Sequence, residues 1–143
     1  MDLVRLDRQL IRERVEAVFR GFPEIVGVYL FGSALDYCRP DSDVDLGVFV
    51  RPDLSERERY LLENELALRL QSFNGHPFDI TVVDPRHSHF AFRVFSEGAP
   101  VYVGDTEQLT DLMERVSREH GEFAYWYQLA IREILEEART HGP

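Results

Sequence analysis

The sequence predicts a single α/β (α+β) domain that spans residues 1–143 and ends in a helical segment at residues 105–140. Three observations support this prediction. Short apolar runs of strand length alternate with longer stretches in which apolar residues recur at helical spacing. Clusters of Gly, Pro, Asn and Asp separate these stretches. The apolar fraction of 44% is ordinary for a globular chain that is long enough to bury one core.

Composition and charge argue against several classes of function. No apolar run approaches the roughly 20 residues that span a bilayer, and the N-terminus lacks the uninterrupted apolar stretch of a secretory signal. We therefore expect a cytoplasmic protein with no membrane partner, which also suits its single cysteine, Cys38. The formal net charge of −10 argues against bulk nucleic-acid binding, because Lys and Arg have to neutralise the phosphates. A nucleotide substrate is compatible with this charge if metal ions bridge the like charges.

The N-terminal region is predicted to form a helix, a strand and a short second helix. Apolar residues between residues 3 and 22 recur on one helical stripe. The apolar run at residues 26–31 is the first strand, and it stops at Gly32. Residues 33–36, Ser-Ala-Leu-Asp, are similar to a capping box with Ser33 as the N-cap, so we expect a short helix to begin there.

The second strand is predicted to open with two carboxylates. Residues 39–42, Arg-Pro-Asp-Ser, form a turn sequence. Asp43 and Asp45 then share one face of the strand with Gly47 and Phe49, whereas the residues between them are aliphatic. We therefore expect one face of this strand to be apolar and the other to carry chemistry.

The second half of the chain is predicted to contain three helical regions and two strands. Ser55 and Glu58 form a capping box that opens a helix ending near residue 73. The later elements are a strand, a helix, a short strand and a final helical region broken near residues 120–121: residues 77–84, 85–97, 101–103 and 106–139. Asp79 shares one face of the third strand with Thr81.

Asp43, Asp45 and Asp79 are candidate metal ligands. Two carboxylates at i and i+2 on a strand point to the same side and can share a pair of divalent cations, of which Mg²⁺ prefers oxygen ligands. Gly32 allows the backbone to approach a phosphate closely, and Ser33 supplies a hydroxyl at a helix start with free N–H groups. Each feature alone has an ordinary explanation as a turn or a solvated strand edge. Their order along the chain favours two-metal nucleotidyl transfer, with in-line attack on the α-phosphorus and loss of pyrophosphate.

Residues 30–33, Leu-Phe-Gly-Ser, are followed by residues 40–46, Pro-Asp-Ser-Asp-Val-Asp-Leu. This pattern resembles the Gly-Ser…Asp-x-Asp signature of the DNA polymerase β-like nucleotidyltransferases, most of all the minimal nucleotidyltransferase (MNT) type. Residues 78–84 are similar to the strand of that family that carries the third carboxylate, and residues 92–105 to the segment that follows it. The resemblance implies the polymerase β-like fold, with a small mixed sheet, helices packed on one face and a C-terminal helical segment.

The resemblance also implies a role for each candidate residue. Asp43 and Asp45 would hold two Mg²⁺ ions. Asp79 would hold the catalytic metal and help to activate the nucleophile. Gly32 and Ser33 would receive the phosphates of the nucleoside triphosphate substrate, ATP.

The chain departs from the family just after Ser33. Many members continue Gly-Ser-Arg-Ala-Arg-Gly, whereas this chain reads Gly-Ser-Ala-Leu-Asp-Tyr. The basic residues that would grip the triphosphate are missing there, and Asp36 is acidic. Triphosphate affinity would therefore depend on Arg39 or a distant arginine as a substitute.

Minimal nucleotidyltransferases of this length are typically paired with a small helical HEPN protein, a toxic RNase, in toxin–antitoxin modules. The resemblance therefore implies an antitoxin that transfers AMP to a HEPN-type toxin, as part of an oligomer or hetero-oligomer. Two alternatives stay open. A catalytically weak antitoxin would neutralise its partner by binding alone, and a small-molecule nucleotidyltransferase of the aminoglycoside type would usually need a larger substrate domain.

The C-terminal segment at residues 123–137 has two adjacent apolar stripes. The residues of the two stripes are Phe123, Tyr127, Ile131 and Leu135 for one, and Trp126, Ala130 and Ile134 for the other. A helix that is apolar over this much of its circumference is either buried on two sides or packed against a partner. The sequence leaves both interpretations open.

Overall fold

The computed structural model describes residues 2–84, 86–119 and 123–141, except for the side chains of residues 123–127 and 141. In chain order, the elements are β1 (Val4–Arg5), α1 (Arg8–Phe19), β2 (Ile25–Phe31), the 3₁₀ helix (Gly32–Leu35), β3 (Tyr37–Cys38), β4 (Val44–Val50), α2 (Glu56–Leu70), β5 (Ser72–Phe73), β6 (His76–Val82), α3 (Ser88–Glu97), β7 (Ala99–Val103), α4 (Thr106–Glu119) and α5 (Phe123–His141). No helix among the described residues is both long and apolar enough to cross a bilayer.

The main sheet has five strands in the order β5-β6-β4-β2-β7 and is mixed. β2 pairs antiparallel with both β4 and β7, whereas β6 runs parallel to β4. A parallel pair needs a crossover connection, and α2 supplies it. β1 and β3 form a separate two-stranded antiparallel sheet. As a result, the end of β2 and the beginnings of β4 and β6 lie at the same edge of the main sheet.

Helices cover both faces of the main sheet, so the expectation that they pack on one face is wrong. α1 and α2 pack on one face through core residues such as Ile11 and Leu66. α3, α4 and α5 pack on the other face, where Tyr29 and Phe49 of the central strands are buried. The cause lies in β2 and β4, which are buried on both faces and therefore need apolar cover on each. The predicted chemical face of the second strand is confined to its beginning, at Asp45.

The predicted helices and strands are present, but several of their ends differ. The first helix begins at Arg8, because the Asp7 side chain accepts hydrogen bonds from the backbone N–H groups of Gln9 and Leu10 and so acts as its N-cap. α2 ends at Leu70, and the chain turns directly into β5. The strands β1, β3 and β5 have two residues each, and runs this short carry no periodicity that a sequence pattern could detect.

The sequence predicts two capping boxes, and one is confirmed. The Ser55 hydroxyl accepts from the Glu58 N–H at 3.1 Å, and the Glu58 carboxylate accepts from the Ser55 N–H at 3.1 Å. The box expected at Ser33 is wrong, because the chain forms a four-residue 3₁₀ helix in which no side chain caps the N-terminus. Its hydrogen bonds span three residues, as from the Asp36 N–H to the Ser33 carbonyl at 3.3 Å, so residue 36 already lies outside the helix.

The C-terminal stripes are described only in part. The break expected near residues 120–121 lies outside the described residues, as do the side chains of Phe123, Trp126 and Tyr127. Further along α5, Ala130 and Ile134 are buried in the core shared with α3 and α4.

Over this described part of α5, one predicted stripe therefore faces the chain's own core. The other stripe includes Leu135, which is 51% exposed. The helix is thus a core helix on one side and keeps an apolar side chain at the surface on the other.

Candidate functional site

The predicted carboxylates lie at the edge of the main sheet where β2 ends and β4 and β6 begin. Phe31, the last residue of β2, pairs with Asp45 on β4. Asp45 pairs in turn with Asp79 on the parallel strand β6. Because paired residues on neighbouring strands point to the same face, the Asp45 and Asp79 side chains stand side by side. Asp43 lies one residue before β4 begins and is exposed.

The electrostatic environment of Asp45 confirms this proximity. Its pKa is raised from the ordinary value of 3.8 to about 6. Partial burial is the largest cause, followed by repulsion from Asp79, repulsion from Asp43 and a side-chain hydrogen bond with Asp79. Asp79 itself is exposed. Asp45 and Asp79 therefore form the close pair, and Asp43 adds a weaker repulsion.

The chemistry of these donors fits a hard divalent cation. All three carboxylates offer oxygen ligands, and Mg²⁺ is typically held by one or two carboxylates together with water and substrate phosphates. A cation beside Asp45 and Asp79 would offset the repulsion that raises the pKa of Asp45. Among the described residues, no three His, Cys, Asp or Glu side chains are gathered into a ready metal-binding group. The structural basis for a metal site is therefore the paired Asp45 and Asp79, with Asp43 close by.

Gly32 brings the backbone of the 3₁₀ helix directly against the Asp45 carboxylate. Its φ of +75° lies in the left-handed region that favours glycine. A Cβ atom at this position would overlap with the Oδ2 atom of Asp45. The close approach observed at Gly32 is to the Asp45 carboxylate, and the approach to a phosphate stays a prediction. The neighbouring Ser33 is exposed.

The loop before Asp43 is held by a residue that the sequence does not single out. The Nδ1 atom of His76 lies 2.8 Å from the Ser42 carbonyl oxygen, and His76 is buried. Because the partner is a carbonyl oxygen, Nδ1 must carry the proton and donate it. The Ser42 hydroxyl in turn accepts from the Arg39 N–H at 3.0 Å. His76 directly precedes the predicted strand that carries Asp79, and this position is a signal that could have indicated the contact.

One cation, Arg8 at the start of α1, contacts the end of the 3₁₀ helix, and the sequence did not identify this residue. The Arg8 guanidinium donates to the Leu35 carbonyl oxygen at 3.0 Å. Arg39, the substitute named from the sequence, is paired with Asp41 at 3.2 Å. Asp7 is the residue from which the position of Arg8 could have been predicted. As a capping residue it starts α1 at Arg8, and residues 4–5 are then free to form β1.

A family model described as polymerase beta nucleotidyltransferase matches residues 13–107, more than half of the chain. The match includes the 3₁₀ helix, all five strands of the main sheet and the three candidate carboxylates. No curated protein sequence matches the chain.

The chain is also similar to chains of solved toxin–antitoxin structures. For the tri-AMPylated Shewanella oneidensis HEPN toxin in complex with MNT antitoxin, the TM-score is 0.56 at 18% identity, over 90% of this chain and 99% of that chain. For the toxin–antitoxin MntA–HepT, the TM-score is 0.53 at 21% identity, over 89% of this chain and 98% of that chain. For a toxin–antitoxin structure with AMP-PNP, the TM-score is 0.52 at 19% identity, over 91% of this chain and 99% of that chain. At these identities the likeness establishes the fold, and the predicted polymerase β-like class is confirmed.

Proposed function

The chain belongs to the polymerase β nucleotidyltransferase family, and from this premise we propose that it transfers AMP from ATP to a protein partner in a Mg²⁺-dependent reaction. The observation that carries the proposal is the pairing of Asp45 with Asp79 beside the close backbone approach at Gly32. We take residues 1–143 as one nucleotidyltransferase domain, in which α4 and α5 form the C-terminal helical segment.

The proposed roles divide between phosphate binding and metal binding. Gly32 gives the phosphates of ATP access to the backbone next to Asp45, and the exposed Ser33 offers its hydroxyl as a hydrogen-bond donor. Asp43, Asp45 and Asp79 would hold Mg²⁺ through their carboxylate oxygens. When bound, Mg²⁺ supplies the positive charge that neutralises the phosphates and the leaving pyrophosphate.

The proposed reaction is a displacement at the α-phosphorus of ATP. The oxygen of an acceptor hydroxyl forms a bond to this phosphorus, while the bond from the phosphorus to the bridging oxygen of pyrophosphate breaks. Pyrophosphate leaves with the electron pair, and the Asp79 carboxylate accepts the hydroxyl proton. Asp79 suits this role because it is exposed, so that a hydroxyl on another protein can approach it.

We propose a HEPN-type toxin as the partner, in a hetero-oligomeric complex. Two kinds of observation support this choice. The solved structures to which the chain is similar are toxin–antitoxin complexes, one with a tri-AMPylated HEPN toxin and one with AMP-PNP. The net charge of −10 also suits a basic protein partner.

The test measures transfer directly. The protein is incubated with Mg²⁺, ATP and the protein encoded by the neighbouring gene, and intact masses are compared with those from an Asp43→Asn/Asp45→Asn variant. Additions of the mass of AMP on the partner, absent with the variant, are the expected result. Additions that persist with the variant would refute the assigned metal ligands.

The second candidate is an antitoxin that neutralises its partner by binding alone. The observation that favours it is the Ala-Leu-Asp sequence after Ser33, where many family members carry arginines. A stable complex with the partner and no change in mass, in the presence of Mg²⁺ and ATP, would establish this candidate and refute the first.

A further inference from the structure

A cavity lies between the N-terminal segment and the 3₁₀ helix. It has a volume of about 390 Å³ and is lined by residues 5–9 on one side and by Ala34 and Leu35 on the other. Arg5 and Arg8 are the basic residues of this lining. Ala34 follows Ser33 directly, so the cavity adjoins the turn that is proposed to receive the phosphates of ATP.

The fold holds both arginines at this position. β1 pairs with β3, with Val4 opposite Cys38 and Arg5 opposite Tyr37. This pairing fixes the N-terminal segment alongside the chain that leaves the 3₁₀ helix. Arg8 is attached more directly, because it is the first residue of α1 and donates a hydrogen bond to the Leu35 carbonyl oxygen at 3.0 Å.

Both side chains retain the capacity to bind an anion. Arg5 and Arg8 are exposed. A guanidinium has five N–H donors in a rigid fork that matches phosphate oxygens, so the bond from Arg8 to Leu35 leaves most of its donors available. Arg39 is less available, because it is paired with Asp41. The N-terminal arginines are therefore better candidates than Arg39 for a phosphate ligand.

The turn itself supplies little positive potential. A four-residue 3₁₀ helix aligns few peptide dipoles, so the N–H groups after Gly32 cannot replace cations as a long helix would. The surroundings are acidic, since Asp36 follows the helix and the chain carries a net charge of −10. A triphosphate bound here needs cations from elsewhere in the fold.

We infer that Arg5 and Arg8 bind the β- and γ-phosphates of the nucleotide and take the place of the arginines that many family members carry after the Gly-Ser pair. This inference rests on the proposed function and deepens it. The N-terminal segment is then part of the nucleotide site and not only a support for the sheet. The α-phosphate, in contrast, lies beside the carboxylates of β4 and β6.

Direct binding of Mg²⁺-tripolyphosphate and of AMP, measured by calorimetry, tests this inference without requiring transfer. We expect tripolyphosphate affinity to fall about tenfold in Arg8→Ala and further in Arg5→Ala/Arg8→Ala, since a hydrogen bond to a charged group contributes about that much. AMP affinity stays unchanged, and Arg8→Lys recovers part of the loss. In the transfer assay, the KM for ATP rises and the KM for the protein partner does not.

Two control variants separate phosphate binding from structural effects. Arg57→Ala removes an exposed arginine on α2 and should leave tripolyphosphate affinity unchanged. Arg12→Ala removes the partly buried ion pair to Glu137, at 2.8 Å, and a hydrogen bond to Gln9, at 2.9 Å, and so loosens the contact between α1 and α5 while leaving Arg5 and Arg8 in place. It should lower the melting temperature but not the affinity. This control is needed because Arg8 also lies near Glu133 and Glu136 of α5.

The outcomes distinguish this inference from the proposed function. The inference would be overturned if Arg5→Ala/Arg8→Ala bound tripolyphosphate as tightly as the wild type does. It would also be overturned if Arg12→Ala lost as much tripolyphosphate affinity as the double variant. If the wild-type protein binds tripolyphosphate through these arginines but transfers no AMP, the proposed transfer fails and the inference stands. If transfer proceeds and the KM for ATP is unchanged in the double variant, the inference alone fails.

Discussion

The two halves of the candidate site are built in different ways. The proposed metal half, Asp43, Asp45 and Asp79, is supported by two adjacent strands of the main sheet, in register and above a buried core. The proposed phosphate half consists of a four-residue 3₁₀ helix and an N-terminal segment held by a two-residue strand. The sheet therefore positions the charges of the metal half, whereas the geometry of the phosphate half depends on contacts between parts of the chain that are remote in sequence.

The largest effect is expected from Asp79→Asn in the metal half. We expect AMP transfer to fall about 10³-fold, because the amide neither holds a cation nor accepts the hydroxyl proton. In EDTA, the same variant should melt at a higher temperature than the wild type, since the repulsion on Asp45 is relieved. Radiolabelled ATP and thermal melts measure the two effects. Asp53→Asn is the matched control and should change neither, because Asp53 is exposed and lies in the turn that follows the far end of β4.

Gly32→Ala is expected to damage the contact between the two halves. A left-handed φ costs a residue with a Cβ about 1–2 kcal/mol, and here the Cβ would also displace the Asp45 carboxylate. Gly75→Ala isolates the first effect, because Gly75 has a φ of +83° and open space around it. Chemical unfolding should show a larger loss of stability at Gly32, and transfer should fall about 10²-fold there alone. Equal losses at both positions would contradict the close approach.

A smaller effect is expected in the pH dependence of the free energy of unfolding when no cation is bound to the metal half. The folded-state pKa of Asp45 is raised from 3.8 to about 6, so the folded protein holds this proton more tightly than the unfolded chain does. The contribution of Asp45 to stability is therefore full below pH 3.8 and is lost as the pH rises through about 6. The loss is modest, because Asp45 is partly solvated.

Urea unfolding in EDTA, compared between the wild type and Asp45→Asn, cancels the groups that titrate independently of Asp45. The stability of the wild type relative to the variant should decline from pH 4.5 to pH 7. Saturating Mg²⁺ should remove the decline, because the cation binds the deprotonated carboxylate. A relative stability that grows with pH would show that Asp45 is not crowded by other carboxylates.

The smallest effect is expected from Ser55→Ala, which lies outside both halves. The loss of one capping box destabilises the protein by about 1 kcal/mol. Transfer at 25 °C should be unchanged, because the folded fraction stays near one. A lower transfer rate in this variant would mean that activity follows global stability, and the variants of the two halves would then have to be reinterpreted.

The strand positions of Asp45 and Asp79 were easier to predict from the sequence than the surroundings of Gly32, for a physical reason. Strand residues alternate between faces with a period of two, so Asp45 could be assigned to one face of its strand and Asp79 to one face of the next from local pattern alone. The direct pairing of Asp45 with Asp79 follows from strand order, which is a tertiary property.

Other features could not be predicted because their causes are remote in sequence. The contact of Arg8 with Leu35 spans 27 positions and depends on a two-residue strand pair without periodicity. Apolar cover on both faces of the sheet was missed because Gly47 and Phe49 were read as continuing the chemical face. The N-cap predicted at Ser33 is wrong because a 3₁₀ turn and an α-helical turn share the same start signals.

The hydrogen bond from His76 to Ser42 gives the protein a built-in spectroscopic reporter. Because the ring donates through Nδ1 to a carbonyl oxygen, nitrogen NMR should record the Nδ1–H tautomer, which is distinguishable from the Nε2–H form. The bond joins the first residue of β6 to the residue before Asp43. Titrating Mg²⁺ or nucleotide into ¹⁵N-labelled protein while following the assigned His76 imidazole would show whether the loop is already in place before its ligands arrive.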